Sequence, residues 1–129
     1  MEALNIQATN DTPAVIFNKD NNKFEIKGKS LPEDVNSFYD PVCKWLEKYF
    51  ENPNPNTIIV FNLDYLNTAS SKSLLALFLI LENAITTGHK VEIVWEYLVD
   101  DEDMLDVGEE YSQIIKVRFK FVPLESEDE

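Results

Sequence analysis

The stretch "YLNTASSKSLLALFLILE", residues 65–82, sets Thr68, Ser70 and Ser71 within four residues, with Lys72 next, directly ahead of a long apolar run. Three hydroxyls exceed what one helix start requires. A single Ser or Thr there accepts a bond from an exposed first-turn amide, worth roughly 1 kcal/mol. A phosphate on the same turn would meet free amides and the positive end of the helix dipole. It would also add about −1.5 to −2 charge at neutral pH. That charge is tolerated in the free protein but costly to bury in an apolar contact. The residue types thus allow two things: a helix cap, and a phosphoacceptor that switches a docking surface without refolding anything.

A surface for such a contact is available nearby. Leu75 and Leu79 lie one turn apart, rotated about 100° from the apolar stripe of the same helix and on the side of Glu82. They are either flanking core or an exposed docking ridge. Burying both would supply ~3–6 kcal/mol. Asn67, Lys72, Leu75 and Leu79 are therefore the candidate partner-binding residues, with Thr68, Ser70 and Ser71 as candidate phosphoacceptors.

Other chemistry finds little support. The one histidine, His89, follows Gly88 at the far end of the helix. About 19 helical residues span ~28 Å, which removes it from the serines at 70 and 71. Cys43 has Lys44 as its only cationic neighbour and reads as a small hydrophobe in a helix. The chain's three glycines include no phosphate-binding loop. In the acidic run from Asp100 to Asp106, the fifth and sixth positions of a calcium loop would be Met104 and Leu105, where an oxygen ligand and a glycine are needed. A solvated helix N-terminus explains that run better. No catalytic site, metal or cofactor is expected.

The elements that position these residues follow from periodicity. "PAVIFN" (13–18) and "KFEIKG" (23–28) are strands joined by the turn residues "KDNN", a hairpin that Gly28 closes. "LNIQAT" (4–9) alternates and either adds a strand or lies along an edge. Residues 31–56 are helical, with Val35, Phe38, Val42, Leu46 and Tyr49 on one stripe. Pro32, Glu33 and Asp34 suit its first turn. Pro41 predicts a kink or a fresh start capped by Asp40, and "NPNPN" (52–56) ends the helix. "TIIVFNLDYL" (57–66) is nearly all apolar, as in a strand covered on both faces. A helix over 68–87 buries Leu74, Leu77, Phe78, Leu81 and Ile85, and Gly88 stops it. A strand over 90–99, an acid-headed helix over 100–115 and a half-exposed strand over 116–122 complete the series, and "PLESEDE" reads as a solvated tail.

The resulting order, ββαβαβαβ, makes the helix-linked strands parallel and the first hairpin antiparallel. The expected fold is an α/β mixed sheet with helices packed mainly on one face. With 129 residues, 44% hydrophobic, the chain fits one domain around one core. The formal charge of −13, from 24 acidic and 11 basic residues, opposes nucleic-acid and anionic-membrane binding. No apolar run approaches the ~20 residues of a membrane span. The N-terminal residues lack a signal-peptide pattern and Cys43 has no partner for an internal disulfide, so a cytoplasmic setting is expected.

Three blocks together resemble the SiaC family of bacterial regulatory phosphoproteins: "KSLPEDVNSFYDPVCKWLEKYF", "LDYLNTASSKSLLALFLILE" and "VEIVWEYLVDDEDMLDVGEEYSQI". The pairing of "NT.SSK" with "DEDM...GEE" is the specific part. The element order is also similar to the STAS domain of anti-anti-sigma factors, whose phosphorylated serine lies where a strand hands over to the second helix. The resemblance implies one SiaC/STAS-like regulatory domain over 1–129, with an acidic tail over about 124–129. It implies a non-enzymatic partner switch: a protein kinase phosphorylates the module, a PP2C-like phosphatase restores it, and the free form binds its target. In the best-known branch that target is a diguanylate cyclase; an anti-sigma factor would keep the switch and change the output. A small enzyme or metal-binding protein is the alternative of a different class. The family's acceptor threonine falls on Thr68. Two departures stand out against the family pattern Tyr-Phe-Asn-Thr-Ser-Ser-Ser-Lys: Leu66 replaces the aromatic residue, and Ala69 replaces the first serine.

Overall fold

The computed structural model describes residues 1–125. Its elements run β1 (Leu4–Ile6), β2 (Ala14–Asn18), β3 (Lys23–Ser30), α1 (Val35–Tyr49), β4 (Thr57–Leu66), α2 (Thr68–Thr86), β5 (Val91–Leu98), α3 (Glu102–Ile114) and β6 (Arg118–Leu124). One six-stranded sheet is formed in the order β1-β2-β3-β4-β5-β6. The first two pairings are antiparallel and the last three parallel. The mixed α/β sheet expected from the sequence is present, and residues 4–6 add an edge strand to the ββαβαβαβ order.

Each crossover steps one strand onward in the same direction, so right-handed connections put all three helices on one face. The burial pattern agrees. Ile59, Phe61 and Leu63 of β4 are buried, whereas Ile58 between them and the strand start is 48% exposed. The reading of β4 as covered on both faces is therefore corrected. Its apolar run serves a single core, and the other face meets solvent.

Two aromatic clusters fill the space between helices and sheet. Trp45 and Tyr49 of α1 stack at 5.4 Å and lie over Phe17 and Phe24 of the hairpin. Phe61, Phe78, Trp95, Tyr111 and Phe119 join α2 and α3 to the parallel strands. The hairpin turn does use "KDNN", with Asn22 at φ 53 and its amide bonded to the Lys19 carbonyl. Gly28 does not close that hairpin. It sits inside β3 at φ 126, beside a register shift between Gly28 and Lys29. A Cβ there would stand 3.3 Å from the Pro13 backbone.

In α1 the helix runs unbroken through Pro41, and its cap is Asp34, not Asp40. The Asp34 carboxylate accepts from the Ser37 amide at 3.1 Å and from the Ser37 hydroxyl at 2.7 Å. Those bonds hold its carboxyl below the ordinary carboxylate range. Pro41 and Ser37 are both exposed, so water can take the carbonyl that Pro41 leaves unbonded. Pro123 and Leu124 pair with Tyr97 and Leu98 within β6, so the solvated tail begins later than expected. The rest of that acidic tail, from residue 126 on, lies outside the described residues.

α2 is 19 residues and by length and composition alone is long and apolar enough to cross a membrane, although its unbroken apolar run covers only residues 74–81, as the sequence expectation had it. Its placement has another explanation. Leu74, Leu77, Phe78, Leu81 and Ala84 are its contribution to the core, between α1 and α3.

Candidate functional site

The parallel strands β3 and β4 end side by side and place the start of α2. The Asn67 amide donates to the Ser30 carbonyl at 3.0 Å, which fixes where the chain leaves the sheet. Asn67 then caps α2, its side-chain oxygen accepting from the Ser70 amide at 2.8 Å. The cap is thus the carboxamide, not any of the three hydroxyls, which corrects the expectation that one of them would do it.

The hydroxyls are left in three different environments. Thr68 is the first helical residue and is exposed, and among the described residues no side-chain hydrogen bond engages it. Ser70 is 0% exposed and its Oγ has no partner among the described residues. Ser71 is half-buried and its hydroxyl donates to the Asn67 carbonyl at 3.2 Å. An enzyme approaching from solvent meets Thr68 first.

The first turn also retains free donors. The Ser70 and Ser71 amides are taken by Asn67, but those of Thr68 and Ala69 find no backbone acceptor among the described residues. Lys72, exposed and one turn on, brings a cation to the same side. A dianion on Thr68 would therefore meet two open amides, the helix dipole and one ammonium.

Thr68 stands at the mouth of a groove of about 290 Å³ between α2 and α3, lined by Ser71, Lys72 and Leu75 on one side and Val107, Glu110, Tyr111 and Ile114 on the other. The Tyr111 hydroxyl donates to the Ser71 carbonyl at 2.9 Å along its floor. Burial raises the Tyr111 phenol above its ordinary range, opposed by that bond and assisted by Glu110. Leu75 lines this groove, whereas the 51% exposed Leu79 borders a different one with Phe50 and Ile80, between α1 and α2. The two leucines therefore do not form one ridge. Val107 and Ile114 were missed from the sequence, although with Tyr111 their spacing of three, four and seven marks one helix face.

The remaining reactive candidates sit apart from this site. His89 packs beside Phe50 with ring centroids 6.3 Å apart, beyond the C-terminal end of α2. The Cys43 thiol is half-buried and pushed up to about 11, chiefly by burial and then by Glu47 and Asp40. Within the acidic run, Asp101 caps α3 by accepting from the Met104 amide at 3.0 Å, and Glu102 and Asp103 occupy its first turn. No group of three metal-ligating side chains forms among the described residues.

One close contact positions α3. The Trp95 indole donates to the Met104 carbonyl at 3.0 Å, and a Cβ on Gly108 would stand 2.5 Å from that indole nitrogen. The glycine of "DEDM...GEE" is where the helix backbone lies against Trp95.

Comparison with known proteins places this geometry among relatives. The family model described as SiaC family regulatory phosphoprotein matches residues 6–124. An uncharacterized protein of Pseudomonas aeruginosa strain UCBPP-PA14 is 27% identical over 113 residues, 88% of this chain and 90% of that one. The crystal structure of apo-SiaC from P. aeruginosa is similar, with a TM-score of 0.87, 26% identity, and coverage of 95% of this chain and 99% of that chain. A chain in the crystal structure of the P. aeruginosa diguanylate cyclase SiaD in complex with its activator SiaC is similar at a TM-score of 0.89 and 26% identity, covering 94% of this chain and 99% of that one.

Proposed function

Because the chain belongs to the SiaC family of regulatory phosphoproteins, we propose that it is a non-enzymatic partner-switching module, phosphorylated reversibly on Thr68, whose unphosphorylated form binds and regulates a diguanylate cyclase. A protein kinase adds the phosphate and a PP2C-like phosphatase removes it, in the cytoplasm, with the whole of 1–129 acting as one regulatory domain.

The observation that carries this reading is the sorting of the three hydroxyls: Ser70 is sealed, Ser71 is bonded, and Thr68 alone is both exposed and unengaged among the described residues. The setting supplies a physical switch. The open amides and Lys72 stabilise a phosphate in the free protein, so modification leaves the fold intact. The same dianion at the groove mouth would have to lose water for a partner to close over it, and that cost opposes docking. The structure of SiaC with SiaD favours a cyclase as the target class over an anti-sigma factor.

Phosphosite mapping of the protein from its own cells, with binding of Thr68→Ala and Thr68→Asp to the cyclase, tests the reading. Phosphate on Thr68 and binding by Thr68→Ala alone are expected. Equal binding by both variants would show that the charge is no switch. Phosphate on Ser71 would keep the switch and move the acceptor.

A further inference from the structure

Glu25, Val60, Val94 and Lys120 form one row across β3, β4, β5 and β6, each paired in register with the next. They alternate along their strands with the buried Phe24, Ile59 and Ile93, so the row lies on the sheet face that no helix covers. Taken from β3 to β6 its order is acid, valine, valine, base. The rows on either side continue the mixture. Glu92 and Glu96 of β5 lie beside Arg118 of β6, and Glu25 sits between Lys23 and Lys27, at 4.0 and 3.4 Å. Ile58, 48% exposed, extends the apolar centre. This face therefore lacks the excess of acid that gives the chain its formal charge of −13.

We propose that this open face binds a second copy of the same chain, sheet against sheet, about a two-fold axis parallel to the strands and midway between β4 and β5. A two-fold interface must be self-complementary, and the row meets that condition. The axis lays β4 on β5 and β3 on β6. Val60 then meets Val94 of the second copy, and Glu25 meets Lys120 of the second copy, each contact occurring twice. Packed sheets keep their strands within about 30° of one another, which this axis satisfies. An axis across the strands would fold each strand back on its own copy. It would set Glu92 on Glu96 and Lys23 on Lys27, like charge against like, which disfavours it. In the chosen arrangement Lys23 over Arg118 of the second copy is the like-charged meeting. It falls at a corner, where these side chains are 52% and 83% exposed and can turn outwards. The proposal is independent of the phosphoswitch, because α2 and Thr68 lie on the other side of the sheet and the dimer carries one α2 on each outer side.

Sedimentation equilibrium of the full chain tests this at about 0.15 M salt, where repulsion between two acidic molecules is screened beyond ~8 Å. Between ~10 μM and ~1 mM, the range of weak association, the mass should rise from that of one chain toward that of two. Glu25→Lys alone and Lys120→Glu alone should each weaken association at least about tenfold, since both symmetry-related pairs turn repulsive. An equimolar mixture of the two variants should restore it, because opposite charges again face each other in both contacts. Thr68→Asp should associate like the parent. In the isotopically labelled parent, concentration-dependent shifts should centre on Val60 and Val94, a readout that needs no variant to fold. A single-chain mass at the highest concentration, variants that associate unchanged, or a mixture no better than its components would overturn the proposal. So would shifts centred on Leu75 or Leu79, or loss of association in Thr68→Asp, either of which would place the contact on the helical side.

Discussion

The Tyr111 hydroxyl donates to the main-chain carbonyl of Ser71 at 2.9 Å, which bonds α3 to the turn of α2 that carries Thr68. The phenol ring is only 8% exposed and packs edge-on against Phe78, with centroids 4.8 Å apart. Tyr111→Phe keeps that packing and removes the bond. The Ser71 carbonyl still has its own helical donor, so no buried acceptor is stranded. The expected loss is about 0.5–1 kcal/mol, at the low end for a hydrogen bond. Urea unfolding checks it; a loss above about 2 kcal/mol would mean the hydroxyl does more than this bond.

Gly108 should not accept a side chain. In an exposed helix Gly→Ala gains up to about 1 kcal/mol from propensity. Here the new Cβ would stand 2.5 Å from the Trp95 indole nitrogen, whose bond to Met104 holds the helix down. Overpacking of this kind costs about 1–3 kcal/mol, so Gly108→Ala is expected to destabilise. Trp95 emission should shift to the red as the indole gains water, and an unshifted spectrum with raised stability would show that α3 moves aside freely.

Strand and helix identities were legible wherever one period ran unbroken. β4 over 57–66 and the α2 core positions Leu74, Leu77, Phe78 and Leu81 came directly from the pattern. The misreadings share a cause: local chemistry was right and tertiary placement decided the outcome. Pro41 disfavours a helix interior, yet its exposed position lets water replace the lost bond. An all-apolar strand suits two covered faces, but every crossover here falls on the same side. Any of four residues from Asn67 to Ser71 suits a cap, and the bond from the Asn67 amide to Ser30 selects Asn67. The groove was invisible because Leu75 and Val107 are 32 positions apart in the chain and meet only through the order of β4, β5 and β6.

That choice of cap separates the structural residue, Asn67, from the proposed phosphoacceptor, Thr68, at adjacent positions. Asn67→Ala removes the bond to the Ser70 amide and should cost about 1 kcal/mol, while Asn67→Asp should recover it. Thr68→Ala touches an exposed hydroxyl with no bond among the described residues and should stay within about 0.5 kcal/mol of the parent. Denaturation midpoints of the three variants give the order. A Thr68→Ala loss as large as that of Asn67→Ala would tie the hydroxyl to the fold and undermine its use as a free acceptor.

Alkaline pH should weaken the fold through buried acids. Burial pushes the Cys43 thiol up to about 11, with Glu47 and Asp40 acting in the same direction. Burial likewise raises Tyr39 and Tyr111. Each holds its proton more tightly in the folded chain, so the unfolded chain releases protons first as pH rises. The stabilisation is complete below the unfolded thiol range near ~8.5 and declines as pH climbs toward the folded value. Urea midpoints should hold steady between about pH 7 and 8 and fall by about pH 10, and Cys43→Ala should remove part of that fall. In native buffer at about pH 8, Ellman's reagent should attack Cys43 at least about tenfold more slowly than in the denatured chain, because only the thiolate reacts. Equal rates would mean that Cys43 is reached by solvent through an opening that burial does not reflect.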